Sequence, residues 1–188
     1  MPDLQPRTKP KALNYALPLA RGEYVVIYDA EDRPEPGHLR QALRAFRAGP
    51  SNLAAVQARL NLYNTNLYNT KENWLTRQFT IEYCALFDGL LPALDRLRLP
   101  IPLGGTSNHF RASALRWLMA WDPFNVTEDA DLGIRLARYG YRCRMLGSTT
   151  YEEAPARPMS WLKQRTRWLK GYMQTWRVHM NHPGALWR

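Results

Sequence analysis

Three short stretches of this sequence combine residue types and spacings that could do chemistry. In Asp29-Ala-Glu31-Asp32, Asp29 and Glu31 are two apart, so in extended chain both carboxylates point to one side. Such a cluster is costly unless a cation or a basic group neutralises it. The pair can hold a hard divalent ion that keeps sites open for phosphate oxygens; followed by Arg33-Pro34, it also reads as a solvated turn. Thr127-Glu128-Asp129 suits the start of a helix, where a hydroxyl caps and carboxylates meet the positive end of the dipole. A carboxylate there that faces a cleft can instead act as general base on a hydroxyl nucleophile. In Gln164-Arg165-Thr166-Arg167-Trp168, Gln164, Arg167 and Trp168 stand at i, i+3 and i+4 and share one helix face. An arginine can grip a diphosphate with two parallel hydrogen bonds, and a tryptophan ring suits the apolar face of a sugar. The plainer alternative is an amphipathic helix. Gly104-Gly105-Thr106-Ser107-Asn108 reads as a turn, or as a place where backbone approaches a ligand closely. His109 reads as structural, and no Ser/His/Asp order, zinc spacing or Walker loop is present.

These groups need elements to position them. The apolar, β-branched run 24–28 predicts a buried parallel strand that ends in the acidic cluster. Pro36 opens a helix to about Ala48, closed by Gly49-Pro50. Residues 53–60 read as a second strand. Asn73 can cap a long helix reaching toward Leu94, and Pro100 to Pro102 break the chain. A short extended run, 106–110, leads to a helix from Ala112. Thr127 is the expected N-cap of the next helix, 141–146 is a short strand, and a last helix covers about 159–178. A short helix is expected at 11–17. Strands alternating with helices predict an α/β fold with a largely parallel sheet. Asn61-Leu-Tyr-Asn-Thr65 is copied in tandem as Asn66-Leu-Tyr-Asn-Thr70, too short for a structural repeat and read as a loop insertion.

Composition bounds the possibilities. A chain of 188 residues with 45% hydrophobic content can bury one real core. With 26 basic and 16 acidic residues the net charge is +10, which favours an anionic partner: nucleic acid, phosphorylated substrate or acidic lipid. Cys84 and Cys143 are far apart and show no metal spacing; a reducing, cytosolic environment fits. No run is long enough to span a bilayer, and the polar, proline-rich N-terminus is no signal peptide. The positive charge is spread along the chain and no nucleic-acid motif is present, which weighs against a nucleic-acid-binding module.

Taken together, the motifs resemble those of glycosyltransferase family 2, in the membrane-bound branch that includes cellulose synthase and bacterial exopolysaccharide synthases. They occur in the family's order. Lys11-Ala-Leu-Asn14 is similar to the basic segment before the metal motif, and Asp29-Ala-Glu31 to D-x-D. Gly104-Gly105-Thr106 resembles the loop under the acceptor, Thr127-Glu128-Asp129 the T-E-D motif, and Gln164 to Trp168 the Q-x-x-R-W motif.

The resemblance implies a GT-A fold (nucleotide-diphospho-sugar transferase, Rossmann-like) and inverting transfer of a sugar from a nucleotide-sugar, such as UDP-glucose, to a growing polysaccharide. In that scheme Asp129 is the general base, and Asp29 and Glu31 hold Mg²⁺ or Mn²⁺. Lys11, Gln164 and Arg167 bind the donor and its diphosphate. Gly104, Gly105, Thr106, Glu128 and Trp168 face the acceptor. The D-x-D element carries Glu at its second acidic position with Asp32 next, so either could be the second ligand. Family members place a strand and a nucleobase aspartate before the Lys11 segment, where this sequence has ten residues. The expectation is therefore a partial GT-A domain over 1–157, lacking the first nucleotide-binding strands and transferring little alone. An amphipathic interface helix over 158–188 follows, on the cytoplasmic face of the membrane, with membrane surface or transmembrane helices as partners. A non-catalytic relative of the family is the alternative.

Overall fold

The computed structural model describes residues 7–63 and 73–186. Helix α1, Lys9–Ala16, begins beside Pro10, whose missing N–H costs nothing in a first turn, and runs into a 3₁₀ turn, Leu17–Leu19. Strand β1, Tyr24–Ile27, leads into the acidic turn and a two-residue strand β2, Arg33–Pro34. Helix α2, His38–Ala48, starts after Gly37 in the left-handed region (φ 81°), a conformation that glycine adopts freely. Strand β3, Leu53–Leu62, carries the first residues of the tandem copy, Asn61 and Leu62; residues 64–72 of the copied stretch and its flank lie outside the described residues.

Asn73 caps α3, Trp74–Cys84, as its sequence promised. Its side-chain oxygen accepts from the Thr76 N–H at 3.0 Å and the Thr76 hydroxyl accepts from the Asn73 N–H at 3.0 Å, a reciprocal capping box. The expected single long helix is interrupted. A π-helical stretch, Ala85–Leu90, re-registers the chain before α4, Leu91–Arg96. Pro92 then falls in α4's first turn, where a proline is tolerated. Strand β4, Asn108–Arg111, α5, Ala112–Trp117, and α6, Glu128–Arg138, follow. Strand β5, Arg142–Glu152, is twice the expected length and carries the chain six residues further, to a second acidic pair. Helix α7, Pro158–Met180, closes the described chain with a 3₁₀ turn, Pro183–Leu186.

The five strands form one sheet in the order β1-β4-β3-β5-β2. The expectation of a largely parallel sheet is corrected. Only β3 and β5 pair in parallel, while β1 with β4, β3 with β4 and β2 with β5 are antiparallel. Apolar continuity predicted burial, but it carries no information on strand direction. Nor is β1 buried on both faces. It lies at one end of the described sheet, and three of its four residues are half-buried. The strand that does sit centrally is β3, buried without a break from Leu53 to Ala58 and sandwiched between two cores. On one side Leu53, Val56 and Ala58 pack with Ala42 and Phe46 of α2. On the other Ala55, Leu60 and Leu62 join Phe79, Tyr83, Phe87, Leu115 and Leu132. Burial of this kind contributes about 25 cal/mol per Å² of apolar surface, and it fixes the strand ends that carry the acidic groups.

Candidate active site

Chain segments from distant parts of the sequence converge on one cleft of about 480 Å³. The first is the acidic turn after β1. It closes by a bond from the Asp32 N–H to the Asp29 carbonyl at 3.2 Å. Asp32 turns inward: its Oδ2 accepts from the Asp29 N–H at 2.8 Å and from the Thr106 hydroxyl, which itself accepts from the Asp29 N–H at 3.1 Å. Burial pushes the Asp32 carboxyl up, and its Oδ1 has no hydrogen-bond partner among the described residues. Asp29 and Glu31 line the cleft and Asp32 does not. Of the two alternatives left by the sequence, Glu31 faces the cleft and Asp32 braces the turn.

The second segment is the loop ahead of β4. Buried Gln57 of β3 accepts from the Gly104 N–H at 2.8 Å and donates to the Thr106 carbonyl at 3.0 Å, so β3 holds the loop at both ends. The glycines are there for close approach. A Cβ on Gly104 would lie 2.9 Å from the Phe87 ring, and one on Gly105 would lie 3.3 Å from Asp129 Oδ2. Thr106 is buried, with its hydroxyl committed to Asp32.

The third is the start of α6. Thr127 stands at the N-cap position, but its hydroxyl makes no cap; it contacts Asn125 Oδ1 at 3.3 Å instead. Asp129 lines the cleft, and its carboxyl is pushed up to about 7 by burial and then by the neighbouring Glu128 charge. Its own N–H, that of Ala130 and the Lys9 charge pull the other way. Glu128 is buried and raised as well, against the charges of Lys9 and Arg167.

Of the two lysines of α1, Lys9 and not Lys11 lines the cleft, beside Arg7. Its ammonium pairs with Asp29 and donates to the Gly105 carbonyl at 2.8 Å. Lys11 does not line the cleft. Positions two apart along a helix are separated by some 200°, so α1 turns only one of the two lysines to the cleft; the family resemblance had pointed to Lys11.

The fourth segment is α7. Gln164, Arg167 and Trp168 all line the cleft. Gln164 Oε1 is buried without a partner, and exposed Arg167 has no hydrogen-bond partner among the described residues. Trp168 packs on Phe79 of α3 with ring centroids 6.1 Å apart. Arg165 does not line the cleft. It pairs with Glu82 of α3 through both terminal nitrogens, and its guanidinium lies 4.6 Å from the Phe79 ring and 4.9 Å from Trp168. With 17% of its side chain exposed, it is an internal clamp between α3 and α7.

Sequence reasoning missed Glu152. At the end of β5 it lines the cleft, its Oε1 has no partner, and burial together with Asp32, Asp29 and Glu31 pushes its carboxyl up to about 8. The Glu152-Glu153 pair was the available signal, but it was invisible while the strand was expected to stop six residues earlier. His109 is buried against His38 (centroids 4.9 Å apart) and pushed down to about 4 by burial, which keeps it neutral and structural.

Among the described residues no three His, Cys, Asp or Glu side chains converge as a metal cage. Asp29 and Glu31 nevertheless offer hard oxygen donors, and their charges add to burial in raising Asp32 and Glu152. That donor set fits a hard divalent cation held by few carboxylates and completed by substrate phosphates.

The sequence profile described as glycosyl transferase family group 2 matches residues 24–188. A probable glycosyltransferase of Sulfolobus acidocaldarius is 28% identical over 174 residues, 93% of this chain and 36% of that protein. Glucomannan 4-beta-mannosyltransferase 1 of Oryza sativa subsp. japonica is 30% identical over 159 residues, 79% of this chain and 28% of that protein. The chain thus spans about a third of the length of the curated relatives it matches. Among solved structures, the mannosyltransferase PcManGT from Pyrobaculum calidifontis, in complex with GDP-Man and Mn²⁺, superposes with a TM-score of 0.70 at 24% identity, covering 94% of this chain and 44% of that one. The fold is the GT-A fold.

Proposed function

The chain belongs to glycosyl transferase family group 2, and on that premise we propose that it carries the acceptor side of an inverting sugar transfer from a nucleotide-sugar to a polysaccharide hydroxyl. The observation that carries this reading is the meeting of Asp129, Asp29, Glu31, Gln164, Arg167 and Trp168 in one cleft. Trp168 stacks on the acceptor sugar, and the Gly104-Gly105 backbone forms the floor beneath it, with Thr106 and Glu128 behind. The acceptor hydroxyl gives its proton to the Asp129 carboxylate as its oxygen attacks the anomeric carbon. The carbon–oxygen bond to the diphosphate breaks, and the leaving nucleoside diphosphate keeps the electron pair. A base poised near 7 is matched to neutral pH. One base with in-line displacement inverts the anomeric centre, with no second carboxylate needed as nucleophile. Arg167 and Gln164 meet the diphosphate side. Lys9 takes the role first assigned to Lys11, beside the turn. Mg²⁺ or Mn²⁺ bound at Asp29 and Glu31 would neutralise charge on the leaving diphosphate.

The test is release of nucleoside diphosphate by the intact protein from UDP-glucose and from GDP-mannose with Mn²⁺. Asp129→Asn is expected to abolish release while a nucleotide-dependent rise in melting temperature persists. Turnover unaffected by Asp129→Asn refutes the reading. Salt-sensitive oligonucleotide binding, with no response to Mn²⁺ plus nucleotide, would place the chain among nucleic-acid-binding modules.

Helix α7 has a second, outward face. Leu162, Leu169, Met173 and Trp176 are exposed along one stripe, flanked by Lys163, Lys170 and Arg177. Apolar side chains edged by cations suit a headgroup layer. None of the described helices is long and apolar enough to cross a membrane. The proposal is that α7 rests on the cytoplasmic face of a membrane, delivering acceptor along its inner face. Co-flotation with anionic vesicles, lost in Leu169→Glu/Trp176→Glu, tests it; equal flotation of both proteins refutes it.

A further inference from the structure

The buried residues of α7 are Gly171, Thr175 and His179. Four apart, they form one stripe along the helix, and each meets a different group at or beside the first turn of α6. Gly171 sets the distance: a Cβ there would lie 2.5 Å from Thr127 Oγ1 and 2.6 Å from its methyl carbon. Thr175 sets the register, its hydroxyl accepting from Asn125 Nδ2 at 2.9 Å. His179 sets the rotation. Its Nδ1 lies 3.1 Å from the Arg138 guanidinium, which can only donate, so Nε2 donates to Asp131 Oδ1 at 2.8 Å. The other Asp131 oxygen accepts from Arg135 Nε at 2.7 Å, and Arg135 is anchored in turn on the Leu118 and Ala120 carbonyls at 3.0 and 2.6 Å.

Both helices of this seam carry cleft residues within a turn of its first contact. Asp129 is two residues after Thr127, and Trp168 is three before Gly171. Six residues before Gly171, nearer its N-terminus, α7 is held by the Arg165–Glu82 clamp. A helix held at one point along its length by a clamp and further along by a seam pivots when the seam is altered, carrying Gln164, Arg167 and Trp168 with it.

We infer that Gly171, Thr175 and His179 form a positioning seam that sets Trp168 and Arg167 relative to Asp129. The seam's effect on turnover rests on the sugar-transfer reading above; its effect on Trp168 does not. The geometry is tested without substrate by ¹⁹F NMR of the 5-fluorotryptophan-labelled chain, with the Trp168 resonance assigned through Trp168→Phe. His179→Leu and Gly171→Ala are expected to move that resonance, and His179→Gln, which keeps a donor within reach of Asp131, to restore it. Thr175→Val serves as the second variant if His179→Leu does not fold. A Trp168 resonance indifferent to folded seam variants overturns the inference, whether or not sugar transfer is found.

Turnover supplies the second arm, with UDP-glucose or GDP-mannose as donor. His179→Leu is expected to lower kcat/KM about tenfold, within the range for a misplacement near 1 Å. In a Trp168→Ala background the same change should cost clearly less, because one of the positioned groups is gone and Arg167 remains to be displaced. A merely structural role lowers the active fraction equally in both backgrounds, and equal losses refute positioning. Absence of transfer by the unaltered protein refutes the sugar-transfer reading and leaves the NMR result to decide the seam.

Discussion

Replacing Asp129 by Asn separates the proposed base from its cost to the fold. In the folded chain the carboxyl is pushed from an ordinary 3.8 to about 7 by burial and by Glu128, against the opposing pull of Lys9; Tyr172 also feels its charge. The folded state therefore binds the proton more tightly than the unfolded chain does. Between about pH 4 and pH 7 the unfolded carboxyl is already ionised while the folded one is not, so the stability contributed by this group falls as pH rises through that window. At 1.36 kcal/mol per pH unit the full difference is about 4 kcal/mol above pH 7, an upper bound because water and a bound cation reduce it. Asn carries no charge and escapes the penalty. Asp129→Asn should thus lose about 10²–10⁴ in kcat, the range for a general base, and gain stability at pH 8. Half of the bound, about 2 kcal/mol, raises the melting temperature by about 4–8 °C in a chain of this size. The assay is thermal unfolding of both proteins at steps from pH 4 to pH 9, beside a pH–rate profile of the unaltered enzyme. The advantage of Asp129→Asn should vanish near pH 4, and the acid limb of kcat/KM should bend near pH 7. An inactive variant whose stability advantage over the unaltered protein is no larger at pH 8 than at pH 4 would show that Asp129 is not held at a raised value, and the reasoning would fail.

Three further outcomes follow from the packing. Gly133→Ala places a Cβ 2.1 Å from the Ile101 carbonyl and 3.0 Å from Leu103, backbone and core that cannot give, so it should destabilise by about 3 kcal/mol or more in urea unfolding. Arg167→Ala removes an exposed side chain without a hydrogen-bond partner among the described residues; stability should change by less than about 0.5 kcal/mol while nucleoside diphosphate release falls at least about tenfold. Arg165→Leu strips the clamp on Glu82 and the stack on Phe79 and Trp168. It should destabilise measurably more than Glu82→Gln, because half-exposed Glu82 contributes to the ion pair alone, worth about 1 kcal/mol or less at a surface; equal effects in thermal melts would assign the clamp to charge and not to stacking.

The legible parts were those whose causes lie within a few residues. The Asn73 box needs only Asn73 and Thr76, the end of α2 needs only Gly49-Pro50, and the i, i+3, i+4 spacing of Gln164, Arg167 and Trp168 is a property of any helix. All three residues do line the cleft with Asp29, Glu31 and Asp129. What failed depended on partners remote in sequence. Strand direction is chosen by neighbours: β1 by β4, some 80 residues on, and β3 by β5. Lys9 displaced Lys11 because the Gly105 carbonyl, 96 residues away, and Asp29 meet one face of α1. Asp32 left the cleft for Thr106, 74 residues away. Glu152 entered it because β5 pairs with the whole length of β3.

By itself, the sequence determined which residues could do the chemistry and on what local frames they sit, since propensity, capping and helical spacing are short-range. Only the tertiary structure decided which carboxylates face the cleft, which lysine answers them, and that Asp129 holds its proton to near neutral pH. Burial and charge–charge proximity exist only once distant segments are packed together, and those two quantities raise Glu128, Asp129 and Glu152.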